Sequence, residues 1–221
     1  MGNATMMIGM DEFIAAGFNG SPEELIPLLQ YYQKTYGYIS QPGVEKIALF
    51  LDDPAPNLAV RECAGGETEP MIAIHPGSGS VRKSWPVGNW INLGRELAST
   101  YSGARLTLIT GEAEQDRGIT AEITGAWSDL CFRHLDRLPL PDLARQLAGC
   151  RAFIGHDSGI SHLAAACGAP CLLFFGPTDP NTWAPKNPSV TVHQARAGDM
   201  AGLAFDEAWV AIRAFLDGKI F

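Results

Sequence analysis

Two stretches of this sequence gather residue types that hold an anion. In Ile154-Gly155-His156-Asp157-Ser158-Gly159-Ile160-Ser161-His162 an apolar segment runs straight into a helical pattern. Ser158 is placed to cap that helix, and Gly159 leaves room for a ligand against the unpaired N–H groups of the first turn. A helix N-terminus carries roughly half a positive charge, so a phosphate is favoured there. His162 lies one turn in and is able to donate to a phosphate oxygen. Asp157 stands at the strand end, where a carboxylate accepts from a sugar hydroxyl. The plainer alternative is a well-capped helix with His162 satisfied in the core.

The second stretch is His75-Pro76-Gly77-Ser78-Gly79-Ser80-Val81-Arg82-Lys83-Ser84-Trp85-Pro86. Its glycines let backbone N–H groups approach a phosphate, its serines add hydroxyls, and Arg82 and Lys83 bring positive charge. It matches neither the Walker spacing nor G-x-G-x-x-G. A solvated loop with two surface cations is the competing account. Two smaller candidates follow other apolar runs. Phe175-Gly176-Pro177-Thr178-Asp179-Pro180 is a tight turn in which Thr178 faces the same side. Thr110-Gly111-Glu112 places an acidic residue where ribose hydroxyls are held in dinucleotide folds. The histidines show no H-x-x-x-H or H-E-x-x-H pattern, which argues against zinc, and D-S-G is not the G-x-S-x-G of a hydrolase elbow. Asp52-Asp53 reads as a charged loop.

These stretches need strands and helices to place them, and the pattern after residue 70 supplies both. Short apolar strands are expected at Ile72–His75, Leu106–Thr110, Phe132–Leu135, Ala152–Gly155, Cys171–Phe175 and Val190–His193. Between them, helical periodicity covers Val87–Ser102, Ala113–Thr124, Leu140–Gly149 and Ser158–Cys167, with a last amphipathic helix at Phe205–Leu216. Alternating strands and helices predict a Rossmann-like, doubly wound parallel α/β sheet over residues 71–221. In such sheets ligands bind outside the carboxyl ends of the strands, which is where the unusual residues fall. Residues 1–70 read as a short, mostly helical N-terminal segment. Ser21-Pro22-Glu23-Glu24 opens a helix toward Tyr36, and Ile47–Leu51 is a short apolar run.

Bulk properties narrow the partners. A net charge of −8 over 221 residues disfavours nucleic acid and anionic lipid. No run reaches the ~20 apolar residues of a membrane span, and no secretory leader is evident. Five cysteines without C-x-x-C spacing suit free thiols in a reducing compartment.

Taken together, the stretches resemble glycosyltransferase family nine, the ADP-heptose lipopolysaccharide heptosyltransferases. Lys83-Ser84-Trp85-Pro86 stands where the family has K-x-W-P after a serine-bearing loop. Asp157-Ser158-Gly159-Ile160-Ser161-His162-Leu163-Ala164-Ala165 matches D-[TS]-G-x-x-H-L-A-A. Gly168-Ala169-Pro170 and Phe175-Gly176-Pro177-Thr178 match G-x-P and F-G-P-T. The resemblance covers roughly residues 71–190 and implies the C-terminal, donor-binding half of a GT-B fold. It implies that Ser78, Ser80 and Lys83 contact a diphosphate, that Glu112 holds the nucleoside, and that Asp157 touches the donor sugar. Ser158, Gly159 and His162 would surround the phosphates. It further implies an inverting, metal-independent transfer without cofactor, from a nucleotide-diphosphate sugar to a glycan or lipid-linked acceptor.

Family members open with a glycine-rich acceptor domain that supplies an aspartate as general base. Neither feature is legible in residues 1–70, which therefore read as a remnant or reduced acceptor domain, and the base is unassigned. Two functions are expected to compete. One is a heptosyltransferase-like enzyme in lipopolysaccharide biosynthesis, cytoplasmic or peripheral to the inner membrane, with a partner chain or homodimer replacing the missing domain. The other is a non-catalytic nucleotide-sugar-binding module. A nicotinamide-linked oxidoreductase is disfavoured by the lack of G-x-G-x-x-G after any strand.

Overall fold

The computed structural model describes residues 69–217, Ala197 excepted. The helix opening at Ser21 and the run Ile47–Leu51 lie outside the described residues.

Six strands form one sheet: β1 (Met71–Ile74), β2 (Arg105–Thr110), β3 (Arg133–Asp136), β4 (Cys150–His156), β5 (Cys171–Phe175) and β6 (Val190–Gln194). All pairings are parallel, in the order β3-β2-β1-β4-β5-β6. The parallel α/β sheet expected from the sequence is present. Strands covered on both faces read as continuous apolar runs, and β1 and β5 are buried throughout. Successive side chains of β1 serve opposite layers. Ile72 and Ile74 pack with Trp90, Leu97, Trp127 and Ile212, whereas Met71 and Ala73 pack with Leu143, Leu147, Leu163 and Ala164.

The first layer is built by α1 (Val87–Thr100), α3 (Ile119–Ala126) and α7 (Phe205–Asp217). On α7 the buried positions are Ala208, Ile212, Phe215 and Leu216, one stripe at helical spacing. Gly94 of α1 is the floor under Trp127, since a Cβ there would stand 1.9 Å from the indole Cζ2. The second layer is built by α4 (Leu140–Ala148) and α5 (Gly159–Ala166). Gly168, at φ +82°, ends the α5 turn in the left-handed region that glycine tolerates.

Three local expectations are corrected. Ala113–Thr124 is not one helix: α2 (Glu112–Asp116) and α3 are separated by Gly118 at φ 72°. A left-handed residue breaks the helical ladder, and Gly adopts it without steric cost. The Lys83 end of the glycine–serine loop winds into a 3-10 turn at Val81–Lys83. The turn after β5 continues into α6 (Pro180–Trp183), because Asp179 accepts the Asn181 N–H and Pro180 occupies the first helical position.

The sheet order changes direction between β1 and β4, which diverge to opposite sides after their C-terminal ends. That divergence leaves the crevice where open parallel sheets bind ligands. The glycine–serine loop leaves β1 there, and α5 leaves β4 beside it.

Candidate functional site

The loop between β1 and α1 is knitted to itself. Ser78 Oγ donates to the Ser80 carbonyl at 2.7 Å and shares a 2.9 Å hydrogen bond with Ser84 Oγ, which also donates to the Ser80 carbonyl. Arg117 Nη1 donates to the Ser78 carbonyl from outside. The loop exit is anchored in the core. Trp85 is buried, its indole N–H donates to the Leu203 carbonyl at 2.8 Å, and its ring stacks on Phe205.

From that anchor Lys83 reaches across the crevice. Its Nζ donates to Asp157 Oδ2 at 2.7 Å, and Thr178 Oγ1 donates to the same oxygen at 2.9 Å. Asp157 is 7% exposed and Lys83 is 30% exposed, so the pair is sheltered but the ammonium still meets solvent. His162 is buried next to this group. Burial first, with Lys83 adding to it, holds the imidazole below its ordinary pKa. The Asp157 charge and the Trp183 carbonyl oppose that shift. The neutral ring, its N–H directed to the Trp183 carbonyl, therefore brings no second cation to the group. Ser158 caps α5 by accepting the Ser161 N–H at 3.3 Å, and Ser161 Oγ donates to the His156 carbonyl. The first turn of α5 is thereby fixed against the end of β4.

Beside these groups opens a cleft of about 400 Å³ over the ends of β1 to β4. One wall is apolar, formed by Ile109, Leu135, Leu138, Leu140, Leu143 and Ile160. The cleft is also lined by Ser78, Thr110, Glu112, Glu114, Ser158 and Gly159. A cleft lined by aliphatic side chains, carboxylates and a helix N-terminus suits a nucleoside joined to phosphates: the base against the aliphatic side chains, ribose hydroxyls on the carboxylates, phosphates toward α5.

The structure thus brings Ser78, Glu112, Ser158 and Gly159 to the cleft wall. It gathers Lys83 and Asp157 as an ion pair with Thr178, beside His162. Two expected residues are otherwise occupied. Ser80 contributes a carbonyl to the loop's own bonding, and the Ser78 hydroxyl turns its proton to that carbonyl.

Glu114 was missed by the sequence reading. It is 4% exposed and its Oε2 accepts the Gly111 N–H at 2.7 Å. A Cβ at Gly77 would stand 2.0 Å from Glu114 Oε1, so this carboxylate lies directly on the glycine–serine loop. Its charge opposes the burial that lowers the pKa of His75. An acidic residue at the third position of a helix whose cap donates back to it is a recognisable signal. That signal lay inside the segment read as one continuous helix.

Arg137 was missed as well. It follows β3 at φ 48°, donates its backbone N–H to the Thr110 carbonyl at 2.9 Å, and lines the cleft. Among the described residues no group of three His, Cys, Asp or Glu side chains is close enough to hold a metal ion.

Comparison with known proteins places the geometry in context. The model of "Glycosyltransferase family 9 (heptosyltransferase)" matches residues 32–204. Lipopolysaccharide heptosyltransferase 1 of Pseudomonas aeruginosa is 34% identical over 112 residues, which are 50% of this chain and 30% of that protein. The Salmonella typhimurium enzyme of the same name is 35% identical over 121 residues, 53% of this chain and 36% of its own length. This chain therefore spans about a third of the curated relatives it matches. Among solved structures, the Escherichia coli heptosyltransferase WaaC with ADP superposes with a TM-score of 0.62 at 21% identity, covering 83% of this chain and 54% of that one. A family 9 glycosyl transferase from Veillonella parvula gives 0.58 at 14% identity, covering 89% and 52%.

Proposed function

The chain belongs to glycosyltransferase family 9, and on that footing we propose that its described domain is the donor half of a heptosyltransferase, binding an ADP-linked heptose in the crevice between β1 and β4. The observation that carries this reading is that Lys83 pairs with Asp157 directly before the N-terminus of α5, whose first residues Ser158 and Gly159 line a cleft rich in aliphatic side chains. ADP, the ligand of the WaaC structure, is the nucleotide of choice.

In the proposed complex the adenine lies along Leu135, Leu138 and Ile160, and Glu112 with Glu114 receives the ribose hydroxyls. The diphosphate rests on the first turn of α5, with Ser158 and Gly159 below it and the glycine–serine loop, held by its own Ser78–Ser80–Ser84 bonding, alongside. Asp157 turns to the donor sugar. Transfer proceeds by attack of an acceptor hydroxyl on the anomeric carbon, whose bond to the phosphate oxygen breaks. The electron pair leaves with ADP, and the hydroxyl proton passes to a base outside the residues named here. Lys83 and the α5 dipole, with the His162 ring packed beside them, act on the charge that grows on the departing diphosphate, which is electrostatic stabilisation of the transition state. A lipopolysaccharide core or related glycan, presented at the inner membrane, is the acceptor this reading implies. Among the described residues no helix is long and apolar enough to cross a membrane.

Thermal unfolding with ADP, UDP, GDP and NADH tests the donor site. A ligand at a hundred times its Kd stabilises by about 2.7 kcal/mol. The expected result is a shift with ADP that Lys83→Ala and His162→Ala reduce by half or more. A shift with NADH alone, or none with any nucleotide, overturns the assignment. Consumption of ADP-heptose with a lipopolysaccharide acceptor then separates transferase from binding module.

A further inference from the structure

Behind the phosphate loop lies a buried group to which the proposed chemistry gives no part. His156 is the last residue of β4 and is fully buried. Its Nε2 accepts the backbone N–H of Trp85 at 3.0 Å, across 71 residues of sequence. Accepting that bond fixes the ring as the neutral tautomer with its proton on Nδ1. Burial, reinforced by the neighbouring His75, pushes the pKa down to about 3, so the ring remains an acceptor over the whole working range. The Gly77 backbone acts on the ring in the opposite sense, and Nδ1 is buried without a hydrogen-bond partner. The edge of Trp90 packs against the ring, with centroids 5.0 Å apart. One imidazole thus faces both ends of the phosphate loop, Gly77 where the chain enters and Trp85 where it leaves.

The next residue of the chain takes hold of the same loop from the other side. Asp157 receives Lys83 Nζ while His156 receives the Trp85 N–H. Consecutive residues at the end of β4 therefore fix a side chain and a backbone amide two positions apart. The indole N–H of Trp85 and its stacked ring hold the exit in depth but leave the amide direction to His156.

We propose that His156 is a positioning residue for diphosphate recognition: by accepting the Trp85 N–H it sets the 83–85 backbone so that Lys83 stands against Asp157, beside the first turn of α5. The proposal rests on the donor-site reading above. It differs from a merely structural role in one respect, because its effect on ligand affinity passes through Lys83.

A double-mutant cycle on the full chain, read by calorimetric ADP binding, tests this. His156→Leu is expected to weaken ADP about tenfold, the scale of one misplaced charge-assisted hydrogen bond. His156→Gln, whose side-chain oxygen reaches the same N–H, is expected to stay within about threefold. In a Lys83→Ala background His156→Leu is expected to change affinity less than about twofold. If the Leu variant does not fold, His156→Asn, too short to reach Trp85, takes its place. An equal loss in both backgrounds overturns the proposal, as does a folded Leu or Asn variant with unchanged affinity. If the unmutated chain binds no ADP, the donor-site reading fails by itself. The clamp is then judged by amide hydrogen exchange: selective acceleration at Ser84 and Trp85 in His156→Leu supports it, and unchanged protection there overturns it.

Discussion

Lys83 Nζ and Asp157 Oδ2 stand 2.7 Å apart although 74 residues separate them in the chain. The pair spans the crevice, and on the proposed donor-site reading a bound diphosphate competes with Asp157 for the ammonium. Truncating the lysine removes a charge-assisted hydrogen bond to phosphate, worth about 1.5–3 kcal/mol. Lys83→Ala is expected to weaken ADP about tenfold to a hundredfold by calorimetry. Its effect on stability is expected to be smaller, about 1 kcal/mol, because Thr178 still donates to Asp157. An affinity unchanged by the substitution would remove Lys83 from the diphosphate site.

Glycine positions give a prediction about packing. Gly77→Ala drives a methyl group into Glu114, and Gly94→Ala drives one into the rigid edge of Trp127. Overpacking of this kind costs about 1–3 kcal/mol, and the Gly94 variant is expected to lie at the upper end because a ring cannot rotate aside. Gly79→Ala meets nothing within 4 Å and serves as the control, within about 0.5 kcal/mol of the parent. Urea denaturation ranks the three. A Gly94 variant as stable as the Gly79 control would contradict the packing of Trp127 on α1.

Three buried histidines predict a dependence on pH. His75, His156 and His162 are each held below the ordinary value of 6.5, first by burial. The unfolded chain binds their protons near that value and the folded chain resists, so the stability they contribute is complete above pH 6.5 and declines below it. For His156 the decline runs from 6.5 toward about 3, with a slope of about 1.4 kcal/mol per pH unit. Glu114 near His75 and Asp157 near His162 moderate the shifts of those two. Between pH 7.5 and pH 5 the His156 contribution alone lowers the unfolding free energy by about 2 kcal/mol. Denaturation series at those pH values check it, and a flat profile would mean that the ring is not buried in neutral form.

Thiol chemistry separates the cysteines. Burial raises Cys150 to about 11 and Cys167 to about 12, and places Cys171 well above its ordinary value. Cys131 is exposed. Thiolates are the reactive form, so a native-state alkylation pulse followed by peptide mapping is expected to label Cys131 and to spare Cys150, Cys167 and Cys171 until denaturant is added. Labelling of Cys171 in the folded chain would contradict the buried β5.

Much of this architecture was legible in the residues themselves. The run Cys171–Phe175 is apolar because both faces of β5 are covered, and the change from Phe153-Ile154-Gly155 to Asp157-Ser158-Gly159 marks the strand end and helix cap with little ambiguity. The contents of the crevice were harder to read. Asp157 and Lys83 were singled out separately, but their pairing depends on the strand order, which no local pattern encodes. Glu114 was hidden because a carboxylate in a helical run usually faces water, and only the approach of Gly77 reveals that it does not. His156 looked like a link in the motif, since its partner is a backbone amide that carries no side-chain signal.

The strand order also bears on how the domain is made. β1 and β4 are neighbours in the sheet, yet β2, β3 and the helices between them are synthesised in the interval. Until Cys150–His156 has left the ribosome, β1 has β2 on one side and an open edge on the other. Open apolar edges template association between chains, and parallel pairings between distant segments form slowly. The glycine–serine loop, its lysine and Trp85 would wait through that interval without Asp157 or His156 to receive them. The nascent chain is therefore most in need of a chaperone between the emergence of β2 and that of β4, and binding competence arrives in a single late step.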